Sequence, residues 1–190
     1  MAYEMPHAYE MPHAYELPHE GDIPVVTITL AVVMFIIWVL YKAKVIKNIP
    51  CGNDLGSIVI SQFVHVSLIH LATNLFTLWY LANLERNLGW KKFILLVLVI
   101  AVISSAVDTI IGDHAGKRDC SIGFSGVLFG LVAWSVLTNG GFKWYNVAMV
   151  AGLVITNMGP HISVRGHVIG AVTGLLLALI YNATRPKNGR

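Results

Sequence analysis

Four polar residues stand inside long apolar stretches of the 190-residue sequence: His70, Asn74, Ser125 and His167. Polar groups are costly in lipid, so a histidine inside a membrane segment is a functional candidate by default. A serine next to a base is the minimum arrangement for nucleophilic catalysis. Ser125 and His167 are therefore a candidate dyad, provided that the fold brings them within hydrogen-bond reach.

The sequence offers no obvious carboxylate to complete a triad. Outside the first 22 residues the carboxylates are expected at helix ends or in loops: Asp54, Glu85, Asp108, Asp113 and Asp119. We therefore expect a Ser–His dyad. A metal site is not predicted, because His65 and His70 face differently on a helix and no HExxH zinc motif occurs.

The composition requires a membrane environment. Hydrophobic residues make up 56% of the chain and charged residues 12%, whereas soluble domains carry about 25% charged residues. A soluble fold of this size has too small an interior to bury so many apolar side chains. The net charge of +3 is too small and too scattered for nucleic-acid binding. The sequence predicts an integral membrane protein that contacts the lipid bilayer and has no nucleic-acid partner.

Six apolar runs alternate with short polar breaks. Backbone groups in lipid must be paired within their own segment, so the runs are predicted to be helices and the fold class is all-α. Alternate helices of a serial bundle run in the same direction, which places the four polar residues at similar depth below one membrane face. The runs cover residues 23–41, 66–84, 93–111, 122–137, 144–158 and 164–181.

Glycine spacing predicts which helices touch. Glycines recur at every fourth position in the fourth and sixth runs, as Gly126 and Gly130 and as Gly166, Gly170 and Gly174. Small residues at this spacing let membrane helices approach closely, so the two faces are expected to pack together and to bring Ser125 to His167. The alternative is that the glycines serve packing alone and that the serine hydroxyl bonds to its own helix.

The two ends of the chain differ from its apolar middle. Residues 2–19 read AYEMPH, AYEMPH and AYELPH, and the proline in each repeat excludes a continuous helix. We expect residues 1–22 to be a disordered acidic tail, 23–182 the membrane domain and 183–190 a basic C-terminal tail. Lysine and arginine are nearly balanced between the two sides, so charge does not decide the orientation.

Three motifs on three predicted helices resemble those of the rhomboid intramembrane serine proteases. Residues 65–74 (HVSLIHLATN) and 85–89 (ERNLG) are similar to the second-helix signature of that family. Residues 123–126 (GFSG) are similar to its GxSG nucleophile motif. Residues 166–174 (GHVIGAVTG) are similar to its sixth-helix motif, in which glycines follow the histidine after three and seven residues.

The resemblance implies a six-transmembrane-helix rhomboid bundle that needs no metal or cofactor. Ser125 would be the nucleophile and His167 the general base, while His70 and Asn74 would help to form the oxyanion hole. Phe129, four residues after the nucleophile, would pack on the catalytic histidine and lacks the hydroxyl of the tyrosine that is common there.

The family also implies transmembrane protein substrates, cut in or near the membrane segment of single-pass proteins. It places the N-terminus in the cytoplasm and the active site toward the extracytoplasmic face of the cell membrane. Some positions depart from the family pattern. Gly56 and Ser57 stand where many bacterial members carry Trp-Arg, and Ala82 and Asn83 stand where the family prefers glycine. The first loop, residues 42–64, is also short.

In this topology Cys51 and Cys120 fall in loops on the outer face. A disulfide would join the first loop to the loop before Ser125, and an oxidising compartment permits it. Two free thiols are the alternative, because a bridge requires Cα atoms within about 7 Å.

Two other kinds of membrane protein compete with the protease. A catalytically inactive rhomboid-like protein would bind membrane clients, although it has no need of both Ser125 and His167. A small transporter would need paired ion-binding carboxylates in broken helices, which the apolar runs lack.

Overall fold

A computed structural model describes residues 23–47, 54–114, 122–138 and 164–184. Within these ranges the regular structure is α-helical, in agreement with the predicted fold class. The helices are α1 (Val25–Lys42), α2 (Leu55–Phe63), α3 (Leu68–Tyr80), α4 (Ala82–Leu88), α5 (Trp90–His114), α6 (Ser125–Thr138) and α7 (Val164–Thr184). The acidic tail 1–22, the fifth apolar run 144–158, Cys51 and Cys120 lie outside the described residues.

Among the described helices, three are long and apolar enough to cross a membrane: α1, residues 90–112 of α5, and α7. The pair formed by α2 and α3–α4, bent by 96°, makes a fourth candidate if it counts as one span. Large apolar side chains cover the outside of these helices, and Phe35, Leu98 and Leu176 are each more than half exposed. An exposed apolar surface of this extent is typical of a protein that contacts lipid.

Residues 42–64 carry no predicted helix, yet α2 lies there. Its N-terminus is capped by Asp54, whose carboxylate accepts the Ser57 N–H at 2.9 Å and the Ser57 hydroxyl at 2.6 Å. The hydroxyl and backbone hydrogen bonds from Ser57 lower the pKa of the Asp54 carboxyl. A nine-residue apolar helix is too short to be recognised from periodicity alone.

The second apolar run becomes two helices, α3 and α4, and α4 continues past the predicted polar break to Leu88. Glu85, a residue of that predicted break, is bound to another helix. Its carboxylate accepts the backbone N–H groups of Val26 and Thr27, each at 2.8 Å. The first N–H groups of a helix have no partner inside that helix, and its positive end favours an anion. Glu85 is consequently buried and ties α4 to the beginning of α1.

Helices α6 and α7 pack backbone against backbone. A Cβ atom on Gly170 would collide with the carbonyl oxygen of Gly126, and one on Gly174 with the oxygen of Gly130. Glycine is the residue that permits such an approach between helices. With 14 residues, α6 is about 21 Å long, shorter than the roughly 30 Å of a bilayer core. Its side chains are mostly buried between α5, α7 and α3.

Candidate active site

Ser125 and His167 form a buried hydrogen-bonded pair. Ser125 is the first residue of α6, and His167 lies in the first turn of α7. The distance from Ser125 Oγ to His167 Nε2 is 2.7 Å, within the range that proton transfer needs. The two residues are only 2% and 8% exposed. A serine hydroxyl held against an imidazole nitrogen is the arrangement by which a base activates a nucleophile.

The turn before the serine is fixed by α2. Gly123 has φ +96°, a backbone conformation that favours glycine. Its N–H donates to the carbonyl oxygen of Ser61 at 3.1 Å. The ring of Phe124 stacks on that of Phe63, with centroids 5.6 Å apart. These contacts set where α6 begins and therefore where the hydroxyl of Ser125 lies.

The ring of Phe129 lies against the imidazole of His167. The centroids are 4.6 Å apart and the planes are inclined by 26°. Phe129 is one helical turn beyond Ser125, so both residues face α7 from the same side of α6. The stacked ring restricts rotation of the imidazole and keeps Nε2 directed at the serine.

His70 and Asn74 lie one turn apart on α3 and are fully buried. The His70 ring reaches the turn before the nucleophile, because a Cβ atom on Gly123 would come within 2.6 Å of His70 Nε2. Among the described residues both ring nitrogens of His70 have no hydrogen-bond partner. Asn74 Nδ2 donates to the carbonyl oxygen of His70 at 2.6 Å. An amide nitrogen carries two N–H groups, so Asn74 keeps one further donor.

The ring of His65 packs against the ring of His70. Its ring meets that of His70 edge-on with centroids 4.8 Å apart, and its Nδ1 is 3.0 Å from the carbonyl oxygen of Phe63. The two histidines face each other because the chain is not helical between Val64 and Ser67, whereas a continuous helix would point them apart. In the described part of the chain, no three His, Cys, Asp or Glu side chains are grouped so that they could hold a metal ion.

A small cavity of about 40 Å³ opens beside the dyad, which is enough space for water. Gln62 of α2 forms one wall, and its amide donates to Ser105 Oγ at 2.8 Å. Ser104 and Asp108 of α5 form another wall. The carboxylate of Asp108 accepts a hydrogen bond from the guanidinium of Arg165, in the first turn of α7.

Comparison with known proteins identifies the family. The family model of the Rhomboid domain matches residues 53–184, which is well over half of the chain. This chain belongs to the rhomboid family. The residues that carry the resemblance in the sequence, Ser125 and His167 among them, all lie inside the matched region.

Individual relatives agree with this assignment. A protein of Acanthamoeba polyphaga mimivirus, named as a rhomboid protein, is 26% identical over 134 residues, which cover 68% of this chain and 77% of its own length. The rhomboid protease GlpG of Yersinia pseudotuberculosis is 30% identical over 129 residues, covering 61% of this chain. The same values hold for GlpG of Yersinia pestis. The alignment spans 44% of the length of these Yersinia proteins. Together with the apolar helices, the family makes this chain an integral membrane protein.

The fold of this rhomboid places Ser125 against His167, and it places His70 against the turn that precedes Ser125. Three polar residues near the dyad, Gln62, Asp108 and Arg165, were not predicted to belong to the site. Asp108, expected at a helix end, lies within α5, which continues to His114. Gln62 and Arg165 belong to no recognised motif. The signal for Asp108 was its spacing, since Ser104 is four residues earlier and a polar pair at this spacing marks one face of an otherwise apolar helix.

Proposed function

We propose that this rhomboid is an intramembrane serine endopeptidase that cleaves the transmembrane segments of single-pass membrane proteins. The observation that carries the proposal is the 2.7 Å contact between Ser125 Oγ and His167 Nε2, at the starts of two helices that touch through glycine. Structural serines in membrane helices bond to their own backbone, as Ser135 does to the carbonyl oxygen of Val132. Ser125 instead bonds to an imidazole on another helix.

The chemistry begins with the transfer of the Ser125 hydroxyl proton to His167 Nε2 as Oγ attacks the carbonyl carbon of the scissile bond. In this step the neutral imidazole carries its proton on Nδ1. Collapse of the tetrahedral intermediate breaks the C–N bond, and His167 returns the proton to the leaving amine. A water molecule, deprotonated by the same imidazole, then attacks the acyl carbon. The C–O bond to Ser125 breaks, His167 returns the proton to Ser125 Oγ, and the carboxylic acid product leaves. The cavity beside the dyad, which Gln62 and Asp108 help to line, has space for that water.

Three kinds of donor would stabilise the oxyanion. The N-terminus of α6 supplies backbone N–H groups without an intrahelical partner, including that of Ser125. His70 supplies a ring nitrogen next to Gly123, and Asn74 supplies its remaining amide N–H. Both side chains are buried, and donors aimed at developing charge are worth most where water is excluded.

The short α6 supports a site inside the membrane. At about 21 Å it falls some 9 Å short of a bilayer core, so Ser125 at its N-terminus would lie below the membrane surface. We propose six transmembrane helices, with residues 144–158 as the fifth, the N-terminus in the cytoplasm and the dyad toward the extracytoplasmic face of the cell membrane. Residues 1–22 and 183–190 would be tails outside this domain.

The test is covalent labelling of the detergent-solubilised protein by a fluorophosphonate, together with cleavage of a single-pass substrate that has small residues near its outer end. Ser125→Ala should abolish both signals, and His167→Ala should reduce both severely because, among the described residues, His167 is the base hydrogen-bonded to the Ser125 hydroxyl. Ser135→Ala is the matched control, since it removes a hydroxyl from the same helix, and it should keep the wild-type rates.

Asn74→Ala separates the oxyanion hole from the dyad. It leaves nucleophile and base in place and removes one donor, so turnover should fall by about 10²–10³ while slow labelling persists. A wild-type protein that is inserted and folded but takes no label would favour the inactive rhomboid-like protein that binds membrane clients. Cleavage by Ser125→Ala at the wild-type rate would show that the dyad is wrongly assigned.

A further inference from the structure

An ion pair joins α5 to the first turn of α7 beside the dyad. Arg165 Nε donates to Asp108 Oδ1, and the side chains are 27% and 10% exposed. Asp108 also lines the cavity that contains Ser125 and His167. The proposed chemistry assigns no role to either charged residue.

Stability alone is a poor reason for this pair. Removing two charges from water costs about as much as their attraction returns, and an apolar pair of similar volume often stabilises a fold at least as well. Ionisable residues inside membrane helices are rare and mark functional sites. The position of the pair, two residues from the base, indicates which function it serves.

His167 needs support because of where it lies. It is in the first turn of α7, and the ends of helices open more readily than their centres. The contact between α7 and α6 is made by glycine backbone at Gly126 and Gly170. At this glycine contact no side chain enters a groove, so resistance to rotation of α7 must come from side chains elsewhere. On the α6 side the ring of Phe129 supplies part of it by stacking on the imidazole of His167.

The ion pair opposes that rotation from the other side. Residues two apart on a helix are separated by about 200°, so Arg165 reaches α5 while His167 reaches α6. A rotation of α7 that withdraws the imidazole from Ser125 would also pull the guanidinium away from Asp108. We infer that the Asp108–Arg165 pair is a positioning clamp that holds the general base against the nucleophile. This inference rests on the proposed function.

The clamp closes a ring of polar contacts around the cavity. From the nucleophile, Gly123 N–H bonds to Ser61 of α2 at 3.1 Å. The neighbouring residue of α2, Gln62, bonds to Ser105 of α5 at 2.8 Å. One turn along α5, the ion pair crosses to α7, and the bond from His167 to Ser125 returns to the start. The turn before α6, which carries the nucleophile, is thus bonded to α2, and α7, which carries the base, is bonded to α5.

The experiment measures kcat and KM for a single-pass substrate, the rate of fluorophosphonate labelling, and the melting temperature in detergent. Arg165→Gln and Asp108→Asn should each lower kcat and the labelling rate about ten- to hundredfold with KM within about twofold, because a misplaced group loses proximity rather than binding. Arg165→Lys should recover part of the loss. The double variant Asp108→Asn/Arg165→Gln should be no slower than either single one, since both remove the same contact.

Asn182→Ala is the matched control. Asn182 Nδ2 donates to the carbonyl oxygen of Leu137 at 3.2 Å and so ties α7 to α6 at the end far from His167. Its loss should leave kcat and labelling unchanged. If the single variants do not fold, the double variant Asp108→Asn/Arg165→Gln replaces them in these measurements, because it leaves no unpaired charge.

Three results would overturn the clamp: a folded double variant with wild-type kcat, an equal loss of kcat in Asn182→Ala, or a loss confined to KM. A loss confined to KM would show that Asp108 and Arg165 contact the substrate and do not position His167. These results leave the proposed function intact provided that the wild-type protein is labelled and cleaves. A folded wild-type protein that does neither overturns the proposed function and the clamp together.

Discussion

Replacing Gly130 by alanine tests whether α6 and α7 are in backbone contact at the distance on which the dyad depends. The new Cβ atom would lie 2.8 Å from the carbonyl oxygen of Gly170, against the 3.4 Å at which ordinary contact begins. The shortfall is 0.6 Å. It would also lie 2.6 Å from Ile100 Cγ2 on α5, so neither side of α6 offers room for the methyl group.

The stability cost follows from two opposing effects. Forcing a methyl group into a packed interface costs about 1–3 kcal/mol, whereas alanine stabilises a helix interior relative to glycine by about 0.5–1 kcal/mol. The difference is a net loss of about 0–2.5 kcal/mol in the free energy of unfolding, centred on about 1 kcal/mol. Gly174→Ala should cost more, because its Cβ atom would overlap the oxygen of Gly130. Gly126→Ala should cost least, since its Cβ atom would lie 3.3 Å from the oxygen of Gly166.

Activity should fall for a geometric reason. If the helices separate by the whole 0.6 Å shortfall, the Ser125–His167 distance grows from 2.7 Å to about 3.3 Å, beyond the reach of efficient proton transfer. A displacement of 1 Å costs about 10²-fold, so the labelling rate of Gly130→Ala should fall about tenfold. Melting temperature and fluorophosphonate labelling, both in detergent, measure the two effects.

Val172→Ile is the control for added volume on the same helix pair. Val172 is 48% exposed on α7, so we expect one more carbon there to extend away from the helix interface and to change neither quantity. A Gly130→Ala protein with the melting temperature and labelling rate of the wild type would refute the backbone contact and the reasoning built on it.

Two further predictions concern parts of the chain away from the dyad. Glu85→Ala removes the acceptor of two buried N–H groups at the start of α1 and should lower the free energy of unfolding by about 2–4 kcal/mol. Thermal melting measures this loss, and Glu85→Gln should be intermediate. Equal stability of the wild type and both variants would contradict the cap. Deletion of residues 2–20 should leave cleavage of the membrane substrate intact, because the composition of the repeats does not suit a packed core. Loss of activity in a correctly inserted truncated protein would show that these residues are needed for cleavage.

The sequence alone determined the class of this protein and the residues at which to look. An apolar fraction of 56% forces a membrane environment, because no soluble interior of this size accommodates it. In lipid the backbone must bond within its own segment, which forces helices. Histidine, asparagine and serine are candidates for chemistry when they stand in such helices, and three motifs surround them here, so Ser125, His167, His70 and Asn74 could be named as candidates without a structure. These are local properties, and a sequence records them directly.

The approximate helix positions were also predictable, whereas the short elements were not. The runs at 23–41, 93–111 and 164–181 correspond to α1, α5 and α7 within a few residues. Helix α2 was missed because nine residues give too little periodicity. The extent of α4 was missed because Glu85 and Arg86 have the character of a polar break, whereas Glu85 is buried as the cap of α1, some 60 positions earlier in the chain.

Which polar groups act together depends on how the helices pack. Glycine spacing predicts that α6 and α7 can touch, but not that Ser125 Oγ lies 2.7 Å from His167 Nε2, since that distance depends on the rotation of both helices about their axes. The pairing of Asp108 with Arg165 had no trace in the sequence beyond the spacing from Ser104, because the partners lie 57 positions apart. Contacts between distant segments depend on how helices rotate and bend against one another, and the order of residues along the chain does not record that.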